Sequence, residues 1–389
     1  MKRVVILLFL ALVCTISMAQ IHRYHLSFSL SQHDFCDTIP IEFENDQVYI
    51  PVIMNGEKHR FNLDTGSSQG AIYKGTRIGH WTELGNVVSK DANGKRDTVR
   101  VIALPPFQMG HLMVSHYVAS VFNRPLVSTG YDAIIGFDLF NKGICAKIDT
   151  RKKIMILTDR RGIFDEEKGY PLTYRLKWFV PYVMVSPFIR HVDEALFDLG
   201  SRSLYVLNKQ SFDKHAYKSK NVNSQVEGKA VGHLAIGTFG TEDVDEVAFL
   251  HLNRFKWDDV CFTHYRTVTT QGGSRVGAQI LRYGSVIIDP FKEQIIYQPY
   301  NGTDTIEMNN KPLGVAFVPW NGRASVGLIF EKSDAYLQGM REGDVIMKIN
   351  DTPIYSFEAF QQFPFVEGQI YRFLLQDRDG KEKTVTTTR

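Results

Sequence analysis

The chain has 389 residues, of which 44% are hydrophobic and 22% charged, with a formal net charge of +3. That length exceeds what one compact core organises, and the composition is that of a folded protein with no biased tract to mark disorder. Near-balanced charge, with the basic residues spread along the chain, argues against a nucleic-acid footprint.

The chain opens with Lys2 and Arg3, an apolar run from Val4 to Val13, and the small-residue site Ser17-Met18-Ala19. This is the pattern of an export signal over residues 1–19, and cleavage after Ala19 leaves Gln20 at the mature terminus. The apolar run is too short to span a bilayer, so no transmembrane segment is expected after cleavage. Export permits disulfides. Cys36, Cys145 and Cys261, however, are odd in number and irregularly spaced, which does not make a disulfide framework. No CxxC, HExxH or His/Cys cluster suggests a metal, and no cofactor is expected.

The mature chain reads mostly as strands and turns. Tyr49 to Met54 is apolar and partly β-branched, Asn55-Gly56 follows as a hairpin turn, and Lys58 to Leu63 delivers Asp64 at its end. Ala71-Ile72-Tyr73 resumes as a strand. A second hairpin is expected around Asn93-Gly94. Then come Ile134-Ile135-Gly136, Ile148-Asp149 and the strand Ile154 to Leu157. The same order returns downstream. Val180 to Ile189 is a strand, and Ala195-Leu196-Phe197 ends on Asp198. Leu204 to Leu207 resumes, a glycine-rich stretch from Gly228 to Gly240 offers another hairpin, and Val276-Gly277 leads to Ile288-Asp289 and Gln294 to Tyr297. Asp64 and Asp198 are 134 residues apart, and Asp149 and Asp289 are 140 apart. A shared order at a near-constant offset is what tandem duplication leaves.

Two aspartates therefore sit at matching strand ends, in Asp64-Thr65-Gly66-Ser67 and Asp198-Leu199-Gly200-Ser201. Two carboxylates close together resist double ionisation and hold one proton between them. The ionised partner can take a proton from water while the protonated one polarises a carbonyl, which is metal-free peptide hydrolysis. Gly66 and Gly200 allow a tight turn with backbone N–H groups near the carboxylate. Ser67 and Ser201 are placed to donate to a carboxylate oxygen. Asp149, Asp289, Asp132 and Asp138 read as turn or structural acids, and Trp178, Trp257 and Trp320 as core or interface aromatics.

At these residues the chain resembles an aspartic peptidase of the pepsin/retropepsin type with two fused lobes, over roughly residues 45 to 300. Asp64-Thr65-Gly66-Ser67 matches the family motif fully. Ile134-Ile135-Gly136 matches the element that crosses behind the catalytic loop, and Val276-Gly277 matches it partly. The resemblance implies a hairpin flap, for which Asn93-Gly94 is the candidate. It also implies hydroxyl-bearing residues after both aspartates, interlocked across the junction. Leu199 departs from this: leucine cannot return the bond, and a buried Thr65 hydroxyl left unpaired would cost about 1–3 kcal/mol.

The tail changes character. Leu313-Gly314-Val315-Ala316-Phe317 is a glycine-bearing apolar run, and Ser333 to Gly339 reads as one capped helical turn. Arg341 to Asn350 reads as a turn and then a strand. The tail resembles a bacterial protease-associated PDZ domain, most closely through Ser333 to Asn350. That resemblance implies capture of a peptide C-terminus, with residues 313–317 as the carboxylate loop.

The expected organisation is mainly β: a signal peptide at 1–19, an N-terminal lobe at 20–165, a C-terminal lobe at 166–300, a linker at 301–312 and a PDZ domain at 313–389. The expected function is an exported aspartic endopeptidase of a bacterial periplasm or cell envelope. Its expected partners are a protein or peptide substrate and a C-terminal peptide ligand of the tail, with no nucleic acid. The alternative is a non-catalytic peptide-binding or envelope adaptor protein on a degenerate peptidase fold.

Overall fold

The computed structural model describes residues 26–91, 94–123, 130–234, 236–237, 239–241, 243–310, 313–366 and 368–388. The signal-peptide expectation, and Asn93 of the hairpin tip, lie outside the described residues. The fold is mainly β. Among the described residues, no helix is long and apolar enough to cross a membrane.

The Asn55-Gly56 turn forms as its sequence directs. Asn55 and Gly56 take φ of 53° and 80°, the left-handed pair that a two-residue hairpin turn demands. Strand Gln47–Met54 thereby pairs with Glu57–Leu63, with Met54 opposite Glu57. Strand Ala133–Ile135 inserts between Glu57–Leu63 and Gly70–Tyr73, parallel to the first and antiparallel to the second. The second half repeats this. Strand Arg275–Gly277 runs parallel to His191–Asp198 and antiparallel to Tyr205–Asn208. Leu63 faces Ile135 in the first half and Phe197 faces Val276 in the second.

The halves join through strands Cys145–Asp149 and Gly284–Asp289, which pair antiparallel with Lys147 opposite Ile287. Asp149 faces Ile154 and Asp289 faces Gln294 in the two flanking hairpins. Lys147 thus meets its own counterpart at the 140-residue offset, as two-fold packing requires. Cys36–Pro40 and Tyr170–Lys177 extend the joint sheet on its two sides. One apolar core runs continuously through both halves, from Phe28 to Met308. The C-terminal unit has a separate core built on Val326, Ile346, Tyr371 and Phe373.

Two readings need correction: Trp178 and Trp320 are not core residues, and the span 301–312 is not a plain linker. Trp178 is 85% exposed and Trp320 is 64% exposed, whereas Trp257 is fully buried with its indole N–H on the Tyr170 carbonyl at 3.0 Å. Trp178 occupies a two-residue turn with Phe179 at φ of 54° and 66°, which aims its side chain away from the sheet. The span 301–312 is more than a connector, because Thr305–Glu307 adds a parallel strand to Val260–Thr270. All three described cysteines are free thiols; Cys145 is buried, while Cys36 is exposed.

Candidate active site

Asp64 follows the strand Glu57–Leu63, and Asp198 closes the strand His191–Asp198. Each turn is folded by its own short bonds. Gly66 N–H donates to Asp64 Oδ1 at 2.9 Å, and Gly200 N–H donates to Asp198 Oδ1 at 3.0 Å. The Ser67 N–H reaches the Asp64 carbonyl at 3.2 Å, and the Ser201 N–H reaches the Asp198 carbonyl at 3.0 Å. The strand behind each turn then locks it. Phe137 N–H donates to the Ser67 carbonyl, and Ala278 N–H donates to the Ser201 carbonyl, both at 2.8 Å. A Cβ at Gly136 would lie 2.7 Å from the Gln69 carbonyl oxygen, so only glycine lets this strand pass so close.

The two turns meet face to face. A Cβ at Gly200 would lie 2.5 Å from Asp64 Cγ, and a Cβ at Gly66 would lie 2.5 Å from Asp198 Oδ1. Each carboxylate therefore lies against the glycine of the opposite turn. Burial raises the Asp64 carboxyl well above the usual carboxylate range, and the Asp198 carboxylate raises it further as a neighbouring charge and hydrogen-bond partner. Asp198 is itself 8% exposed. The two carboxyl groups lie within hydrogen-bonding reach of each other. The structure brings both aspartates and both glycines together, but Ser67 differs from expectation. Its hydroxyl donates to the Gln69 carbonyl at 2.7 Å rather than to a carboxylate, so it braces the turn.

Thr65 and Leu199 resolve the mismatch between the two motifs. The Thr65 hydroxyl donates to the Phe197 carbonyl at 2.7 Å and accepts from Leu199 N–H at 2.9 Å. It is fully satisfied by backbone, so the feared unpaired hydroxyl does not exist. Leu199 lies fully buried in the main apolar core. The mirror-image bond is simply replaced by packing. Leu199→Thr is therefore expected to lower stability by about 1–3 kcal/mol, through lost apolar burial and a newly buried hydroxyl. Thermal unfolding of the two proteins checks this, and an unchanged or raised Tm would show that the hydroxyl finds partners.

Sequence reasoning missed the aromatic surroundings. Tyr73 and Tyr131 share a hydroxyl–hydroxyl contact at 3.1 Å. Burial raises both phenols, and the Asp64 charge adds to each. Tyr73 also helps wall a cavity of about 420 Å³ with Ile72, Trp81, Val99, Val121 and Phe239. Behind the first turn, Tyr117 donates to Asp138 Oδ1 at 2.8 Å and accepts from Gly136 N–H at 3.0 Å. Burial pushes the Asp138 carboxyl up to about 8, against the Tyr117 and backbone hydrogen bonds that lower it. Asp149 and Asp289 accept turn N–H groups from Lys152 and Phe291, each at 2.9 Å, as their positions suggested.

In the C-terminal unit, Gly314 takes φ of +71° and its carbonyl accepts from Phe330 N–H at 2.8 Å. Strand Val315–Trp320 ends its sheet, pairing only with Arg323–Ile329 among the described strands. The expected loop over 313–317 is therefore shorter: Leu313 and Gly314 precede the edge strand, while Val315, Ala316 and Phe317 are paired within it.

No family model matches this sequence, and no curated protein matches it.

Proposed function

We propose that the chain is an exported aspartic endopeptidase of a bacterial cell envelope, built from two pepsin/retropepsin-like lobes and a PDZ-like C-terminal domain. The observation that carries this reading is the crossed packing of Asp64 on Gly200 and of Asp198 on Gly66. Two acids so placed hold one proton. Asp64, the carboxyl raised by burial and by its neighbour, carries that proton and polarises the scissile carbonyl. The other carboxylate takes a proton from the attacking water. The repeated strand registers around the two turns support the duplicated-lobe reading. The satisfied Thr65 hydroxyl supports an intact site over a degenerate one. The test is cleavage of an unstructured peptide library by the full chain, mapped by mass spectrometry against Asp64→Asn. Cleavage by the wild type alone supports the reading, and none by either protein overturns it.

The PDZ-like assignment of the tail rests on the Gly314 loop and the adjoining edge strand. An extended peptide can add to such an edge, with loop N–H groups meeting its terminal carboxylate. Peptides with a free C-terminus are expected to bind the full-length Asp64→Asn chain at least about 10-fold more tightly than their amidated forms. Calorimetric titration reads this directly, and equal affinities would remove the carboxylate-capture role.

A further inference from the structure

The C-terminal unit is fastened to the second β unit by backbone as well as by side chains. The connecting segment is held first. Thr305–Glu307 pairs in parallel with Cys261–Thr263, and Met308 N–H donates to the Thr263 carbonyl at 3.0 Å. Asn310 then brackets Arg266. Its Oδ1 accepts from the Arg266 N–H at 2.7 Å, and its Nδ2 donates to the Arg266 carbonyl at 2.9 Å. The side-chain amide continues the strand ladder where the backbone departs.

The unit itself docks at a second place. Strand Arg323–Ile329 shifts register between Phe317 and Ala316, so that Gly327 falls in a bulge. A bulge turns a carbonyl out of the ladder, and this one accepts from His233 N–H at 2.9 Å. His233 is thereby part of the seam. Gly232 lies so close to the Gly327 carbonyl that no Cβ fits, and Gly228 lies as tightly under the Phe330 ring. Phe330 stacks on Phe249 with centroids 4.5 Å apart and planes at 17°. Leu328 and Val247 are buried beside them. Lys332 Nζ donates to the Glu227 carbonyl at 2.7 Å.

These docking contacts fall on one hairpin, strand Val226–Gly232 with its partner Asp245–Trp257. Its far end carries Phe239. The Phe239 N–H donates to Asp91 Oδ2 at 3.0 Å, and its ring meets Phe122 at 5.7 Å. Lys95 Nζ, from the first unit's hairpin, donates to the Thr241 carbonyl at 2.6 Å. Phe239 also walls the cavity that Tyr73 lines. In the first unit's hairpin, Thr82–Lys90 with Arg96–Ala103, Val88 is 71% exposed.

We propose that the C-terminal unit is the fixed backing of the second unit's hairpin and positions Phe239 on the cavity that Tyr73 walls. Its consequence for cleavage rests on the peptidase reading; its consequence for the hairpin does not. A tethered recruiting domain would act only on substrates that bind it. A backing acts on every substrate, including peptides that never touch the tail, because packed elements transmit displacement.

The test uses the full chain carrying Gly232→Val or Phe330→Ala, against wild type. Gly232→Val forces the two backbones apart, while Phe330→Ala removes the ring without touching the backbone and decides the matter if the first variant misfolds. Two quantities are read. One is hydrogen exchange at the Phe239 amide, with Val286 in the joint sheet as internal standard. The other is kcat/KM for a short amidated peptide. Exchange at Phe239 is expected to rise at least tenfold with Val286 unchanged, and kcat/KM to fall at least tenfold. Wild-type exchange at Phe239 in a folded variant would overturn the proposal. Faster exchange with no cleavage by any protein, wild type included, would overturn the peptidase reading and leave the backing role standing.

Discussion

Replacing either Asp64 or Asp198 by asparagine is expected to lower kcat/KM for peptide cleavage by about 10³-fold or more, with the fold intact. A positioned acid or base contributes about 10²–10⁴-fold, and each substitution here removes both a carboxylate and the proton the pair shares. The fold should survive because asparagine retains the oxygen that accepts the Gly66 or Gly200 N–H. It also removes the like-charge repulsion that raises Asp64, so Tm should stay level or rise. Rates on one peptide, with thermal unfolding measured alongside, separate a chemical defect from a folding defect. Activity within tenfold of wild type in either variant would sink that carboxylate's role.

The pH dependence follows from the same pair. The Asp64 carboxyl is raised above 3.8, its ordinary value, so the folded state holds that proton more tightly than the unfolded chain does. The stabilisation it gives is complete below 3.8 and is lost as pH rises through the raised value. Activity should fail on the same alkaline limb, because a pair stripped of its proton has no acid to polarise the carbonyl.

The sequence carried the parts of this site that depend on local chemistry. Asn55-Gly56 specifies its turn because both residues accept left-handed φ. Asp-x-Gly-Ser specifies a tight aspartyl turn twice, and the repeated spacing places the two turns in equivalent frames. What stayed hidden depends on partners far along the chain. Leu199 looked like a defect because its motif predicts a hydroxyl, whereas the core around it needs a buried leucine. Ser67 looked like a carboxylate donor, but the nearer Gln69 carbonyl claims it. Tyr73 and Tyr131 are 58 residues apart and have no motif that announces their contact. Gly228 and Gly232 lie in the glycine-rich stretch that offered a hairpin. Their conformations are unexceptional, and their size is what matters, because Phe330 and Gly327 press against them. Trp178 misled for the opposite reason: a large aromatic implies burial, and a turn overrode it.

Gly200→Ala is expected to reduce peptide cleavage by about 10²-fold and stability by about 1–3 kcal/mol. The added methyl would lie 2.5 Å from Asp64 Cγ and 2.6 and 2.8 Å from the two carboxylate oxygens. Gly200 is not among the glycines with positive φ, so alanine fits its backbone and the whole effect passes through that contact. Asp64 must swing away, its hydrogen bond to Asp198 lengthens, and the shared proton is held less tightly. Gly66→Ala should act in the same direction, since its methyl would lie 2.5 Å from Asp198 Oδ1. Gly56→Ala is the control. Its φ of +80° makes alanine strained, but nothing lies within 4 Å of the new methyl, so it should cost about 1 kcal/mol of stability and no activity. The three variants, compared by kcat/KM and Tm, separate strain in a turn from intrusion on the pair. Wild-type cleavage by Gly200→Ala would mean that the carboxylates do not work in contact, and the single-proton mechanism would go with it.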